Sequence, residues 1–167
     1  VQMPNDEFLK QLRLLCDQYN VMLILDEIQS GCGRTGKYFA HQHASIKPDI
    51  ITLAKGIGNG FPMAAVMISP KFKAVKGSLG TTFGGNHLAC AAGIAVADVM
   101  VKEDLMQNAQ TISKFLLDEL KKIDGIQEIR GRGLMIGIVM DKPVADIRKK
   151  LLFEHKIFTG SSSTNII

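Results

Sequence analysis

The sequence contains no tryptophan, and aromatic residues make up only 6% of it, so we expect no stacking platform for nucleic-acid bases. Its basic residues are scattered among acidic ones and leave a net charge of +4, without the clustered patch typical of nucleic-acid binding. The longest apolar stretch, Ala89–Val101, is interrupted by Asp98 and is too short to cross a bilayer. These shortages favour a soluble cytoplasmic protein without nucleic-acid or membrane partners.

Cysteine is scarce and never occurs as a C-x-x-C pair, which argues against a zinc site or a disulfide framework. We expect free, buried thiols in a reducing compartment. His41 and His43 lack a familiar ligand spacing, so we expect a surface pair and no metal site. The three cysteines are Cys16, Cys32 and Cys90.

The two ends of the sequence suggest a piece of a longer protein. Val1 is not an initiator methionine, and Asn165–Ile167 has the pattern of a strand that is beginning. We therefore expect a fragment.

The first hundred residues predict a parallel α/β sheet. Asp6–Tyr19 has the apolar spacing of an amphipathic helix, with a start signal before it. Three short apolar runs follow, and we expect them to be strands buried on both faces: Val21–Leu25, Ile50–Ala54 and Met63–Ile68. Connections of a dozen residues or more favour a parallel arrangement.

The later part predicts an alternation of helices and strands, which places a domain boundary near position 102, between 1–101 and 102–167. A helix rich in small residues, Asn86–Val101, should be buried on several sides, and Leu105–Ile123 should be a surface helix. The further elements that we expect are strands at Ile126–Arg130, Leu134–Met140 and Ile157–Thr159, and a helix at Val144–His155.

Two glycine clusters follow predicted strands. Gly31–Gly36 matches G-x-G-x-x-G, but Asp26 and Glu27 stand before it and would repel a dinucleotide phosphate. We interpret it as a flexible turn. Gly56–Gly60 is either an ordinary loop or a backbone that passes close to a planar ligand on the preceding residue.

Charged residues end two of the predicted strands, where ligands of α/β sheets bind. Lys55 is either a surface lysine or, if desolvated, an amine that forms a Schiff base with an aldehyde. Asp26 is either a solvated strand end or a buried carboxylate that keeps a pyridine nitrogen protonated. Gly80–Asn86 is equally well a polar turn with Asn86 as helix cap or a cradle for an anion.

Taken together, these segments resemble the class III (ω-amino-acid) aminotransferases. The resemblance rests on LILDEIQSGCGRTGKYFAHQHASIKPDIITLAKGIGNGFPMAAV, GTTFGGNHLACAAG and RGRGLMIGI, and it extends along nearly the whole chain. GRTGKYFA and GTTFGGN are most similar to the acetylornithine aminotransferase subfamily. The fold implied is fold type I of the pyridoxal-phosphate (PLP) transferases, with the end of the large parallel-sheet domain and part of the α+β small domain.

The resemblance also implies roles for particular residues. Lys55 would form the Schiff base and shuttle a proton, Asp26 would pair with the pyridine nitrogen, and Glu27 beside it would belong to the cofactor site. Ile28 would pack on the ring face and Gln29 would reach the ring's phenolic oxygen. Two hydroxyl groups complete the set: Thr82 at the cofactor phosphate of a neighbouring subunit and Thr81 near the substrate.

The activity implied is transfer of an ω-amino group, that of N2-acetylornithine, to 2-oxoglutarate in arginine biosynthesis, by a homodimer. The family's other phosphate, ring-stacking and carboxylate-binding residues would lie before Val1 or beyond Ile167, so we expect the fragment alone to be inactive. Asn59 and His87 stand where the family more often has Gly and Pro. The alternatives are another ω-amine as donor (ornithine, succinylornithine or 4-aminobutyrate) or a non-catalytic module of the same fold.

Overall fold

The computed structural model describes residues 1–73 and 75–167, which form two compact units. One unit comprises Pro4–Asn108, and the other comprises Val1–Met3 with Ala109–Ile167. The domain boundary that the sequence predicts, between 1–101 and 102–167, stays a prediction.

Helix α1, Asp6–Gln18, confirms the first predicted helix. Asn5 caps it, because the side-chain oxygen of Asn5 accepts a hydrogen bond from the Phe8 amide at 2.7 Å. The inner face of α1 contributes Leu9, Leu12 and Cys16 to a small apolar core. The remaining members of this core are Leu23, Leu25, Ala44 and Ile46.

A three-stranded sheet in the order β1-β2-β3 follows α1. Its strands are β1 (Ile24–Asp26), β2 (Ile50–Leu53) and β3 (Ala65–Ile68). The parallel pairing of β1 and β2 confirms the predicted arrangement for these two strands. The prediction is wrong for β3, which runs antiparallel to β2. Between β2 and β3 the chain forms only a 3-10 helix, Lys55–Ile57, and turns, so no crossover carries it back to the other end of the sheet.

The prediction that these strands are buried on both faces is also wrong for this chain. Val21 and Ile24 are exposed by 55% and 53%, while Ile51 and Leu53 of β2 are buried. Within the described residues β1 is hydrogen-bonded to a neighbouring strand on one side only, so it is an edge strand of this sheet.

Helix α2, His87–Lys102, begins where the sequence predicts, after the cap Asn86. The side-chain oxygen of Asn86 accepts a hydrogen bond from the Ala89 amide at 2.9 Å. The expected burial on several sides is not found. Ala89 and Met100 are buried, whereas Leu88 and Ile94 are exposed by 72% and 63%. The contacts described for α2 are with the loop after β2 and, through Met100, with Gly33 of the glycine turn.

Helix α3, Leu105–Leu120, ends three residues earlier than predicted. The two strands expected after it are found as β4 (Ile126–Arg132) and β5 (Met135–Met140), which pair antiparallel. Helix α4 spans Ala145–Phe153. The end of the chain pairs with β5, since Ile166 bridges Val139 antiparallel, as its strand-like pattern predicts.

The strand predicted at Ile157–Thr159 is wrong. The amide of Ile157 donates to the Leu151 carbonyl at 2.8 Å, and Arg148 donates to the Thr159 carbonyl at 3.1 Å. These bonds tie the segment to α4, so the Ile157 amide and the Thr159 carbonyl are not free for a strand partner.

Candidate active site

Asp26 and Lys55 both lie at the carboxyl edge of the parallel strands β1 and β2. Asp26 is the last residue of β1 and pairs in register with Thr52 of β2, three residues before Lys55. Both side chains are exposed, and the Asp26 carboxylate accepts one hydrogen bond, from the Ile28 amide at 2.9 Å. The strand ends thus bring a carboxylate and an amine to the same edge, with capacity left on both groups.

The backbone at Lys55 adopts a conformation that side chains disfavour. Its φ of +50° lies in the left-handed region, at the start of the 3-10 helix that follows β2. Non-glycine residues in this region cost free energy and occur often at functional sites. The sharp turn takes the chain out of the sheet at Lys55, directly after β2.

Two glycines after Lys55 allow close packing beneath it. A Cβ on Gly56 would lie 2.9 Å from the Cβ of Cys32, and one on Gly58 would lie 2.7 Å from Cγ of Met63. Met63 in turn rests on α2, where a Cβ on Gly93 would lie 3.0 Å from the Met63 methyl group. The loop that presents Lys55 is therefore supported by backbone-to-side-chain contacts that only glycine permits.

The Gly31–Gly36 segment is the turn that we expected, and it leads into a 3-10 helix, Ala40–Ala44, with no α-helix directly after it. Cys32 has a φ of +53°, and its side chain is hydrogen-bonded to that of Tyr38. Burial raises the pKa of the Cys32 thiol, and that bond opposes the effect. Cys32 thus serves as a packing residue against Gly56, with its thiol kept protonated.

The carboxylate of Glu27 is hydrogen-bonded to the start of the 3-10 helix Ala40–Ala44. The side chain is 3% exposed and accepts hydrogen bonds from the amides of Ala40 and His41 at 2.5 and 2.9 Å. The same carboxylate lies 2.7 Å from Nδ1 of the His41 ring. Glu27, which the sequence grouped with Asp26 at the cofactor, therefore has a full set of partners elsewhere.

The expectation of a surface histidine pair is wrong. His41 is buried against Glu27, and Nε2 of the half-buried His43 lies 3.0 Å from the Thr35 carbonyl oxygen. The sequence held a signal for the first contact, because an acid directly after a buried strand needs a partner. It did not indicate which residue supplies it. Of the three thiols that we expected to be buried, Cys16 is buried, whereas Cys32 is half-buried and Cys90 is exposed.

Thr81 and Thr82 lie on an exposed segment directly before α2. A Cβ on Gly84 would collide with the Thr81 side chain, so Gly84 and Thr81 are packed against each other. The described contacts join neither threonine to Asp26 or Lys55.

A cavity of about 430 Å³ opens between α1 and Ser45–Asp49, at the other end of the sheet from Lys55. Asp49 lines this cavity. Its carboxylate forms ion pairs with Arg13 and Lys71 and accepts a hydrogen bond from the Leu23 amide. Among residues 1–73 and 75–167, no three His, Cys, Asp or Glu side chains are grouped closely enough to hold a metal ion. In the same ranges no helix is long and apolar enough to span a membrane.

Comparison with known proteins agrees with this geometry. The family model described as "Aminotransferase class-III" matches residues 1–161. "Acetylornithine aminotransferase 1" of Bordetella bronchiseptica is 49% identical over 147 residues, which cover 84% of this chain and 37% of that protein.

Solved structures give the same result. The ornithine aminotransferase of Toxoplasma gondii, described with partial occupancy of PLP at its active site, matches with a TM-score of 0.90 at 32% identity. That match covers 99% of this chain and 41% of the other. Acetylornithine aminotransferase of Elizabethkingia anophelis matches with a TM-score of 0.83 at 34% identity, over 98% of this chain and 46% of the other.

The chain belongs to the class III aminotransferase family, and it spans less than half the length of these relatives. Its fold is part of fold type I of the PLP-dependent transferases, as the sequence predicted. PLP is the cofactor that this family implies.

The residues at the carboxyl edge fit PLP. Lys55 is not desolvated and Asp26 is not buried in this chain, so the burial expected of a cofactor site is not found at either residue. The amine and the carboxylate are nevertheless the groups that the aldehyde and the pyridine nitrogen of PLP require, and both are accessible. The buried hydroxyl oxygen of Thr52, in register with Asp26, has no hydrogen-bond partner among the described residues, which favours a polar ligand at this edge.

Proposed function

We propose that the full-length protein containing this chain is an ω-aminotransferase that holds PLP on Lys55. The observation that carries the proposal is the placement of Asp26 and Lys55 at adjacent carboxyl ends of parallel strands, in a chain of this family. Ligands of such sheets bind at this edge.

PLP, when bound, supplies an electron sink for the carbon from which the amino group departs. Lys55 would hold it through Nζ, and the same amine would move a proton at that carbon. The Asp26 carboxylate keeps the pyridine nitrogen protonated, because a negative charge beside the nitrogen favours its charged form.

The remaining predicted residues orient the cofactor and the substrate. Ile28, which is half-buried, packs on a ring face, and the exposed Gln29 reaches the ring's phenolic oxygen. Thr82 binds the phosphate of the cofactor held by the partner subunit of a homodimer, and Thr81 lies near the substrate. The exposure of both threonines supports a role toward a second chain.

The proposed donor is the ω-amine of N2-acetylornithine, and the acceptor is 2-oxoglutarate, which becomes glutamate. Relatives with the name acetylornithine aminotransferase support this choice. The reaction would serve arginine biosynthesis in the cytoplasm.

The test compares Lys55→Ala with Lys10→Ala in the full-length protein. Lys10 is an exposed α1 lysine whose ion pair with Glu7 spans 3.9 Å, so its removal should change little. We expect Lys55→Ala to lose the visible absorbance of the covalently bound cofactor and the transamination of N2-acetylornithine, and Lys10→Ala to retain both. Retention of the band and the activity in Lys55→Ala would refute the assignment.

Ornithine is a second candidate donor, favoured by the fit to the Toxoplasma gondii ornithine aminotransferase. Values of kcat/KM for N2-acetylornithine, ornithine, succinylornithine and 4-aminobutyrate decide between them. We expect N2-acetylornithine to be highest; a higher value for ornithine would replace it as the donor.

A further inference from the structure

Glu27 and Asp26 are neighbours, but their side chains have opposite surroundings. Consecutive residues of an extended strand point to opposite faces of the sheet, and here Asp26 is exposed while Glu27 is buried. The Glu27 carboxylate is engaged by the amides of Ala40 and His41 and lies against the His41 ring. A carboxylate bound in this way is not available to a ligand on the Asp26 face.

The main chain of Glu27 is held on both sides as well. Its amide donates to the Thr52 carbonyl at 3.0 Å, which extends the pairing of β1 and β2 one residue beyond Asp26. Its carbonyl accepts from the Gly31 amide at 2.9 Å, and a Cβ on Gly31 would lie 2.8 Å from that oxygen. Glu27 therefore joins β2, the glycine turn and the 3-10 helix Ala40–Ala44.

A continuous series of contacts leads from the Glu27 carboxylate to the loop of Lys55. The His41 ring stacks on Phe39 with centroids 5.3 Å apart, and Phe39 meets Tyr38 edge-on at 4.8 Å. The Tyr38 side chain is hydrogen-bonded to Cys32, which lies against Gly56, the residue after Lys55. Displacement of the 3-10 helix would thus be transmitted to both strand ends.

We propose that Glu27 is a positioning residue: bound to Ala40 and His41, it fixes the glycine turn and so sets Asp26 and Lys55 in place, without contacting the cofactor. The inference rests on the proposed function, since it takes Asp26 and Lys55 as the groups that hold PLP. Residues that support a site in this way fix its geometry through hydrogen bonds of their own.

Glu27→Gln in the full-length holoprotein tests this role, with Asp49→Asn as the matched control. Asp49 is another buried, multiply bonded carboxylate of the same sheet, at the end away from Lys55. Glutamine keeps one acceptor oxygen and turns an amide N–H toward one of the donors that glutamate satisfies. The readouts are Tm, the Kd for PLP added to the apoprotein, and the pH midpoint of the bound cofactor's visible absorbance.

We expect both variants to lower Tm, and only Glu27→Gln to change the cofactor. Loss of a hydrogen bond to a charged group should raise the Kd for PLP about tenfold. Movement of Asp26 relative to the pyridine nitrogen should shift the absorbance midpoint by about one pH unit. A purely structural residue would leave these two readouts at their wild-type values.

His41→Leu and His41→Asn provide a second pair that keeps the test decisive if Glu27→Gln does not fold. Leucine removes the ring donor, whereas asparagine offers an N–H to the carboxylate. His41→Leu should raise the Kd and shift the absorbance midpoint, and His41→Asn should restore most of both.

Lower Tm with unchanged Kd and midpoint in Glu27→Gln and His41→Leu would overturn the inference and leave the proposed function intact. A wild-type protein that binds no PLP would be a different result, because it overturns the proposed function itself.

Discussion

Gly56 and Cys32 form a close contact next to the proposed cofactor lysine. A methyl group on Gly56 would lie 2.9 Å from Cβ of Cys32, which is too close for either residue to remain in place. Cys32 itself has a φ of +53°, a conformation that glycine adopts without strain. The two positions should therefore respond to substitution as a pair.

We expect Gly56→Ala to lower the free energy of unfolding by about 2 kcal/mol, as overpacking does. Adding Cys32→Gly should recover about half of that loss, because it removes the colliding Cβ and relieves the backbone. Urea unfolding of the two single variants and the double variant measures the coupling. Strictly additive losses would show that the contact is not made.

Asp49 ties α1 to the sheet and should make stability depend on acid pH. Its hydrogen bond from Lys71, followed by those from the Leu23 amide and Arg13, holds the pKa of the carboxyl well below its usual range. A lowered pKa stabilises the fold above the unfolded-chain value of about 4, and this contribution is lost as the pH falls toward the folded value.

We therefore expect Asp49→Asn to cost about 2 kcal/mol near pH 7, because it removes the carboxylate charge that pairs with the half-buried Arg13 guanidinium. The difference from wild type should shrink as the pH falls below about 4. Glu128→Gln is the control: Arg130 lowers the pKa of Glu128 too, but that pair is exposed and should matter little. An Asp49→Asn difference that is constant from pH 7 to pH 3 would contradict this account.

At the level of single residues, the sequence could predict Asp26 and Lys55 as strand ends, because short apolar runs ending in a charge are visible in it. It could not predict the positive φ of Lys55 or the partner of Glu27. The partner of Glu27 depends on how a segment 14 residues further along the chain packs back on the strand, and local sequence signals do not reveal that.

Among the elements, α2 depends on its cap. Asn86 satisfies the Ala89 amide, which would otherwise lack a partner at the start of the helix. Asn86→Ala should lower the free energy of unfolding by about 1 kcal/mol, and Asn86→Ser should retain most of it. Thermal unfolding of the two variants checks this; equal losses would show that the cap does not stabilise α2.

Helix positions were more predictable than sheet direction, for a physical reason. Caps and apolar spacing are local signals, and they gave α1 and α2 to within a residue or two. The direction of β3 depends on whether the chain crosses over the sheet between Leu53 and Ala65, and connection length alone does not reveal that.

For the whole molecule, the unexpected feature is the amount of apolar surface. Leu79, Phe83, Leu88 and Val101 are exposed by 83, 80, 72 and 74%. Surface of this kind marks contacts with other protein. The sequence pattern predicted that such apolar side chains are buried. We expect the rest of the full-length protein and a partner subunit to bury them.

We expect the isolated 167-residue chain to self-associate and to bind a fluorescent apolar dye. Ile94→Lys with Val101→Lys should reduce both, because the two substitutions place charge on exposed positions of α2. Light scattering and dye fluorescence measure the effect. A wild-type chain that remains monomeric and binds no dye would show that this surface needs no cover.

The most direct test of the account is chemical. Borohydride reduction of the full-length holoprotein, followed by peptide mass analysis, shows which amine is joined to the cofactor. We predict a phosphopyridoxyl group on the peptide containing Lys55 and unmodified lysine elsewhere. A phosphopyridoxyl group on another lysine, or on none, would contradict the central claim.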